Sequence, residues 1–348
     1  MVCPTMSDSS ATANPPRRAT IKDVAKAAGV SPTTVSHALN GKGYVDEKTR
    51  ERVLAAVKAL DYRPNMRAQR LRTGEARTIA LISSMPFGVA GGPSRLGFLM
   101  EVAAVAAGAA LTRGLALVLV PPSAEGRLPL EQLDIDGAIV IEPAEDDATV
   151  RHLTERGLPV VSLGRQPGHA EIPFVELHSA TTTALLLDHL CEQGSRHIAL
   201  LIGTQRRNSY LEAEQAYHAF CTRHGMAEQV VKAAEEGGEE GGYEACLALL
   251  RAHPELDAIC APVDAFAVGA VRAAGELGRR VPEQLRIVTR YDGIRARSCQ
   301  PPLTAVDLHL EQLASQCVEL LFAHLGGKQG GPLPAAPLPQ LLPRASSL

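Results

Sequence analysis

Residues 20–41, "TIKDVAKAAGVSPTTVSHALNG", constrain the fold more than any other stretch, because a stop and a start are written between two short helical patterns. Thr20 can cap a first helix whose third residue, Asp23, is acidic as a capping box prefers, and Gly29 supplies the free φ of a tight turn. Ser31 can then accept from the first N–H groups of a second helix, Pro32 suits its first turn, and Asn40-Gly41 gives a stop. The second helix is therefore only about two turns long. Its apolar residues Val35, Ala38 and Leu39 can pack on Val24, Ala25 and Ala28, leaving Thr33, Thr34, Ser36 and His37 on or beside the outer surface. A third helix from about Glu47 to Leu60, capped by Asp46, offers Val53, Leu54, Val57 and Leu60 to close the core.

Two short helices around a glycine turn, backed by a third, predict a helix-turn-helix, whose second helix presents its N-terminal residues to base edges in a major groove. Small hydroxyls and an imidazole suit that role, and a plain three-helix bundle with a solvated polar face accounts for the same pattern. Charge separates the two readings. Residues 17–77 carry 14 Lys and Arg against 6 Asp and Glu, a surplus of +8, whereas the whole chain has a net charge of -3. A basic amino end on an acidic body points to a polyanionic partner for that end alone.

From Thr20 to Gly74 the sequence resembles, without a break, the DNA-binding module of the LacI (lactose-repressor) family of bacterial transcription regulators. The resemblance implies that Pro32, Thr33 and His37 read bases. It implies that Thr20, Ser31, Thr34, Ser36, Asn40, Arg50 and Arg70 touch phosphate and backbone. His37 stands where many members have Arg, as in the purine-type repressors. "RPNMRAQRLRTG", residues 63–74, resembles the family's hinge helix: Leu71 takes the place of the minor-groove wedge, Ala68 the small paired-helix contact, and Gln69 a position where Arg is common. An apolar wedge of this kind partly unstacks a base step and bends the duplex toward more protein. A basic flexible linker explains the arginines equally well.

Beyond Thr78, "TIALIS", "LALVLV", "GAIVIE", "PVVSLG", "HIALLIG", "LDAICA" and "LRIVTR" read as buried strands, each followed by a helix-length segment. This alternation predicts parallel, doubly wound sheets. Such sheets bind ligands at the carboxyl ends of their strands, so two of them would enclose a cleft. The resemblance implies the same α/β body, periplasmic-binding-protein-like, with two doubly wound parallel-sheet lobes behind the N-terminal all-α helix-turn-helix domain and hinge helix. The expected organisation is a disordered leader over 1–18, the DNA-binding domain over 19–63, hinge and linker over 64–77 and the two-lobed body over 78–330. Its first lobe takes about 78–175 and 301–326, its second about 176–300. A Pro-rich segment over 331–348 passes along the second lobe and ends as a loose tail.

In the cleft the sugar-binding polar groups of the family are largely replaced. Gly164 and His178 stand where Asp is common, Ala213 where an Arg grips hydroxyls or carboxylates, and Val263 where an Asn is usual. Asp292 in "RYDG" is retained, and Arg165 and Asp264 match motif positions. Losing a rigid five-donor guanidinium argues against a standard hexose. Arg206 and Arg207, at the carboxyl end of "HIALLIG", are candidates to hold an anionic effector instead, although surface arginines on a loop are as good a description. With Ser84 after the first strand, these residues (Ser84, Arg165, His178, Arg206, Arg207, Asp264, Asp292) form the candidate effector set. "AEEGGEEGGYE" reads as a solvated connector.

The chain holds no Gly-x-Gly-x-x-Gly after its first strand, no phosphate-loop lysine, no Gly-x-Ser-x-Gly elbow and no His-Glu-x-x-His pair, so catalysis is not expected. Seven widely spaced cysteines without a Cys-x-x-Cys pair suggest a reducing cytoplasm and no metal site, and no cofactor is expected. No apolar run is long enough for a membrane span. The expected protein is a cytoplasmic, nucleoid-associated repressor. It would act as a homodimer, with a tetramer also open, on a pseudo-palindromic double-stranded operator, with a small molecule in the cleft modulating DNA affinity. A repressor whose altered cleft serves dimerisation alone stays open beside it, while a solute-binding protein fits the basic head poorly.

Overall fold

The computed structural model describes residues 19–40, 43–63, 74–90, 97–122, 130–326 and 334–348. The expected leader and the hinge residues Ala68, Gln69, Arg70 and Leu71 lie outside the described residues, as does the side chain of Asn40. The chain divides into two compact units, Met1–Glu75 and Ala76–Leu348.

Among its described residues the first unit has three helices, α1 (Ile21–Ala28), α2 (Pro32–Asn40) and α3 (Glu47–Ala59). Thr20 and Asp23 form the capping box of α1, with Thr20 N donating to Asp23 Oδ2 at 2.8 Å. Gly29 closes that helix at φ 64°, the left-handed conformation that glycine adopts without penalty. Asp46 caps α3 by accepting from Thr49 N at 3.0 Å, and hydrogen bonds from the Thr49 side chain and then its backbone hold the Asp46 carboxyl below the ordinary range. The core is Val24, Ala25, Ala28, Val35, Ala38, Val53 and Ala56, with Ile21, Val30, Leu39, Val45, Val57 and Tyr62 around it. Leu54 and Leu60, expected in this core, are exposed. The helical repeat turns them past the strip of α3 that Val53 and Ala56 present to α1, and a core this small fills before reaching them.

Among its described residues the second unit has two sheets. The five-stranded sheet runs in the order β2 (Ala116–Val120), β1 (Thr78–Ser83), β3 (Gly137–Ile141), β4 (Val160–Leu163), β5 (Phe174–Val175), all parallel. The six-stranded sheet runs β11 (Gln340–Leu342), β10 (Thr304–Asp307), β9 (Arg286–Tyr291), β8 (Ala258–Ala261), β6 (Ile198–Gly203), β7 (Val230–Ala233), with only β11 antiparallel. The wholly buried strands β1, β3, β4, β6 and β8 are the apolar runs of the sequence, as a sheet covered on both faces requires.

Three expectations need correction. The segment from 301 does not re-enter the first lobe at once, because β10 pairs with β9 in the second sheet. The return comes with the helix Leu310–Leu325, which packs on β3, β4 and the helix Phe98–Thr112. Nor are the last residues loose: β11 pairs with β10, and Ser346 and Ser347 are fully buried. Ser346 N donates to Pro302 O at 3.0 Å, and Ser346 Oγ accepts from Thr304 N at 2.8 Å, so the tail completes an otherwise open sheet edge. Finally, the acidic glycine-rich stretch folds as a 3-10 turn, Glu235–Gly237, leading into the helix Gly238–Ala252. Its glycines allow close backbone approach: a Cβ on Gly242 would meet Phe266 Cα at 2.5 Å.

Candidate functional site

In the first unit, α2 is anchored by buried Val35 and Ala38, which turns Pro32 and Thr33 to solvent and leaves Thr34, Ser36 and His37 half-buried. Ser31 Oγ accepts from Thr34 N at 3.0 Å and lies 2.9 Å from Thr34 Oγ1, so the helix start is fixed by its own hydroxyls. The His37 ring lies against Gly43: a Cβ there would come 2.8 Å from Nδ1, and Gly43 has φ 79°. The Thr20 hydroxyl donates to Asp23. Arg50 is half-buried, and its Nε has no hydrogen-bond partner among the described residues. The outward face of α2 therefore combines exposed small side chains with an oriented imidazole.

In the second unit the strand order places a topological switch point between β1 and β3 in one sheet and between β6 and β8 in the other. The residues that follow these strands meet across the lobes. Arg207, after β6, donates through Nη1 to Ser84 Oγ at 3.0 Å and to Glu142 O, and through Nη2 to Ser84 O at 3.0 Å. Its Nε and Nη2 also donate to Glu235, at 3.0 and 2.9 Å. Burial disfavours the charged guanidinium, but Glu235 more than offsets this and leaves its pKa raised. Glu142, after β3, sits at φ 50°, accepts from Ser209 Oγ at 2.6 Å and lies 2.6 Å from Arg290 Nη1.

Further inter-lobe contacts lie to either side. Ala144 and Arg207 form an antiparallel bridge, Glu145 N donates to Arg206 O at 2.9 Å, and Arg206 Nε donates to Glu145 Oε2 at 2.7 Å. Arg295 Nη1 donates to Val89 O at 2.8 Å, and Tyr291 hydroxyl to Glu101 Oε2 at 2.5 Å. Between these lies a cavity of about 50 Å³, with Met85, Val89, Phe98 and Leu99 on one side and Asp264, Arg290 and Arg295 among the residues on the other. Burial raises the Asp264 carboxyl above its ordinary pKa, against the nearby Arg295. A more open depression of about 280 Å³ adjoins it, and Tyr291 and Glu101 belong to its wall.

The candidate effector residues are thus brought together only in part. Ser84, Arg207 and Asp264 lie at the switch points. Arg207 is buried and already neutralised, and Arg206 pairs with Glu145 at the rim, so neither presents a free charge to an anion in this arrangement. Asp292 is held by Arg297 at 2.9 Å and Arg344 at 2.6 Å and lines the open depression rather than the cavity. Arg165 pairs with Glu176 at 3.5 Å and covers the Phe174 ring. His178 caps the helix Ser179–Glu192 at φ 51°, its Nε2 3.3 Å from Ala336 O. Glu142, Glu235, Arg290, Arg295 and Tyr291 were not anticipated. The available signal was a charge inside or at the end of an apolar strand, as in "GAIVIE" and "RIVTRY".

Among the described residues no group of His, Cys, Asp and Glu could hold a metal ion, and no helix is long and apolar enough to cross a membrane.

Comparison with known proteins agrees with both units. Residues 20–65 match the family described as bacterial regulatory proteins, lacI family, and residues 187–347 match the periplasmic binding protein-like domain. The chain is 30% identical over 331 residues to the HTH-type transcriptional regulator CelR of Thermobifida fusca, covering 91% of this chain and 95% of that relative. A CelR–cellobiose complex superposes with a TM-score of 0.68 at 28% identity, over 94% of this chain and all of that one. The lac repressor dimer bound to operator and the anti-inducer ONPF superposes with a TM-score of 0.72 at 25% identity, over 95% and 100% of the two chains. The chain belongs to the LacI family of bacterial regulatory proteins and is a DNA-binding transcriptional repressor.

Proposed function

We propose that this repressor reads its operator through Pro32, Thr33 and His37, and that a small molecule between the two lobes of the second unit modulates its DNA affinity. The observation that carries the first half is the outward face of α2, where small side chains and an imidazole oriented by Gly43 stand clear of the Val35–Ala38 core. Side chains of that size reach base edges at short range. Thr20, Ser31, Thr34, Ser36, Asn40 and Arg50 position the unit on phosphates. Arg70, Ala68, Gln69 and Leu71 complete the hinge. The active form is a homodimer on a pseudo-palindromic site, acting in the cytoplasm and catalysing nothing.

The second half rests on the facing switch points, where Ser84, Arg207, Asp264 and their neighbours join the lobes. A ligand that binds one arrangement of the lobes better than another shifts the balance between DNA-competent and DNA-incompetent states. CelR has been captured with cellobiose in complex. Footprinting on fragments from the source genome, repeated with metabolite pools, tests both halves. Protection of a two-fold symmetric sequence that a metabolite weakens or strengthens is the expected outcome, and absence of any preferred sequence would refute it.

One observation favours a second reading. Arg207 already ties Ser84 and Glu142 of one lobe to Glu235 of the other, a cross-lobe link that an effector would otherwise supply. A protein so clasped represses without any small molecule, and operator affinity indifferent to every metabolite pool would select this reading.

A further inference from the structure

Three buried arginines of the second lobe act on the first. Arg207 donates to Ser84 Oγ and Ser84 O, each at 3.0 Å, and to Glu142 O. Arg295 Nη1 donates to Val89 O at 2.8 Å, and Arg290 Nη1 lies 2.6 Å from Glu142 Oε1. Two of the three have their countercharge in their own lobe. Glu235 lies 2.9 Å from Arg207 Nη2, and Glu239 lies 3.1 Å from Arg295 Nε with Asp264 at 3.5 Å. Neither guanidinium therefore needs an anionic ligand, and each directs remaining N–H groups to backbone carbonyls across the gap as charge-assisted hydrogen bonds.

These contacts leave little room. The cavity beside them has about 50 Å³, roughly three to five water positions, whereas small-molecule sites usually begin near about 300 Å³. The adjoining open depression is not lined by Ser84, Glu142 or Arg207. A sugar or nucleobase does not fit among these contacts while the arginines keep their bonds. A ligand of that size binds there only when the lobes part, and a ligand that binds one arrangement draws the population toward it.

We infer that Arg207 holds the lobes closed without any ligand, and that an effector changes operator affinity by opening them. The inference rests on the reading of the inter-lobe space as the effector site and assigns the direction of its movement. Of the three arginines, Arg207 is the one bonded to residues following two strands of the other lobe, Ser84 after β1 and Glu142 after β3. It also lies in a backbone seam: Ala144 bridges to Arg207, and Glu145 N donates to Arg206 O at 2.9 Å. The Glu145 amide therefore reports on closure, because its acceptor belongs to the other lobe.

The test follows amide hydrogen exchange and operator affinity in the full-length protein without ligand. Arg207→Lys keeps a charge for Glu235 but has no fork with which to reach Ser84 and Glu142 together. It should speed exchange at Glu145 by roughly tenfold or more while the strand amides of β1 and β6 keep their protection. Operator affinity should shift by about tenfold in the same variant. Arg207→Met combined with Glu235→Gln leaves no stranded charge and should do the same if Arg207→Lys does not fold. Unchanged exchange at Glu145, or equal acceleration at every amide, overturns the closing role of Arg207. Faster exchange with unaltered operator affinity overturns the link between opening and regulation. A metabolite pool that moves operator affinity while Glu145 stays protected overturns the opening movement and leaves the effector reading standing.

Discussion

Arg207 and Glu235 form a buried ion pair at 2.9 Å, and the same guanidinium reaches across to the carbonyl oxygens of Ser84 and Glu142 on the other lobe. Both partners are at most 3% exposed. In such surroundings a lone charge is far less tolerable than a pair, so each partner holds the other in the interior.

Arg207→Ala should therefore destabilise the second unit by about 3–5 kcal/mol, because it strands Glu235 in the interior. Adding Glu235→Gln should recover part of that loss. A double-mutant cycle read by denaturant unfolding measures the coupling, and additive losses would show that the two side chains act independently.

Gly88 lies on the backbone of the 3-10 turn Glu235–Gly237, and a Cβ on Gly88 or Gly238 would collide with the backbone of the opposite lobe. Gly88→Ala is expected to cost about 1–3 kcal/mol through overpacking. Gly275→Ala, which meets nothing within 4 Å, should be neutral or slightly stabilising. Thermal melting of the two variants side by side distinguishes a lobe contact from a general effect of losing glycine.

His37→Ala should relax base preference at one operator position while leaving non-specific affinity nearly intact, since a wrong base pair costs about 1–3 kcal/mol. Arg50→Ala should instead weaken binding to all sequences and flatten its salt dependence. Selection from a randomised operator library, at two salt concentrations, checks both. Gly43→Ala, which presses on the His37 ring, should move in the same direction as His37→Ala.

His189 accepts or donates a hydrogen bond with Ser347 Oγ at 2.7 Å, and burial holds its pKa below the ordinary 6.5. The unfolded chain therefore binds a proton more readily than the folded one. Stability is fully present above pH 6.5 and declines as pH falls from there toward the lowered folded value. Melting curves between pH 7.5 and 5 should show this acid sensitivity, and His189→Gln should remove it. An unchanged pH profile in the variant would place the proton uptake elsewhere.

How much of this was legible beforehand depended on how local each cause is. The turn at Gly29, the caps at Thr20, Ser31 and Asp46 and the strands β1, β3, β6 and β8 were readable because each is decided within a few residues. The two-residue β5 and the strands β7, β10 and β11 were not readable, since a short or partly exposed strand carries little pattern of its own. Leu54 and Leu60 had the right spacing for a core, but only the crossing of three helices decides which side of α3 is covered.

The glycine-rich "AEEGGEEGGYE" shows the same limit from the other side. Glycine read locally means a turn; here it means that another backbone passes close by, and the acidic residue beside it is the buried partner of Arg207.

By itself, the sequence determined a basic three-helix reader and an α/β body of parallel strands, because hydrophobic periodicity, capping and charge balance are properties of neighbouring residues. Only the tertiary structure decided what lies between the lobes. Arg207 meets Glu235 28 positions away and Glu142 65 positions away. The order of strands in the two sheets sets those meetings, and an ion pair assembled by topology leaves no periodic trace along the chain.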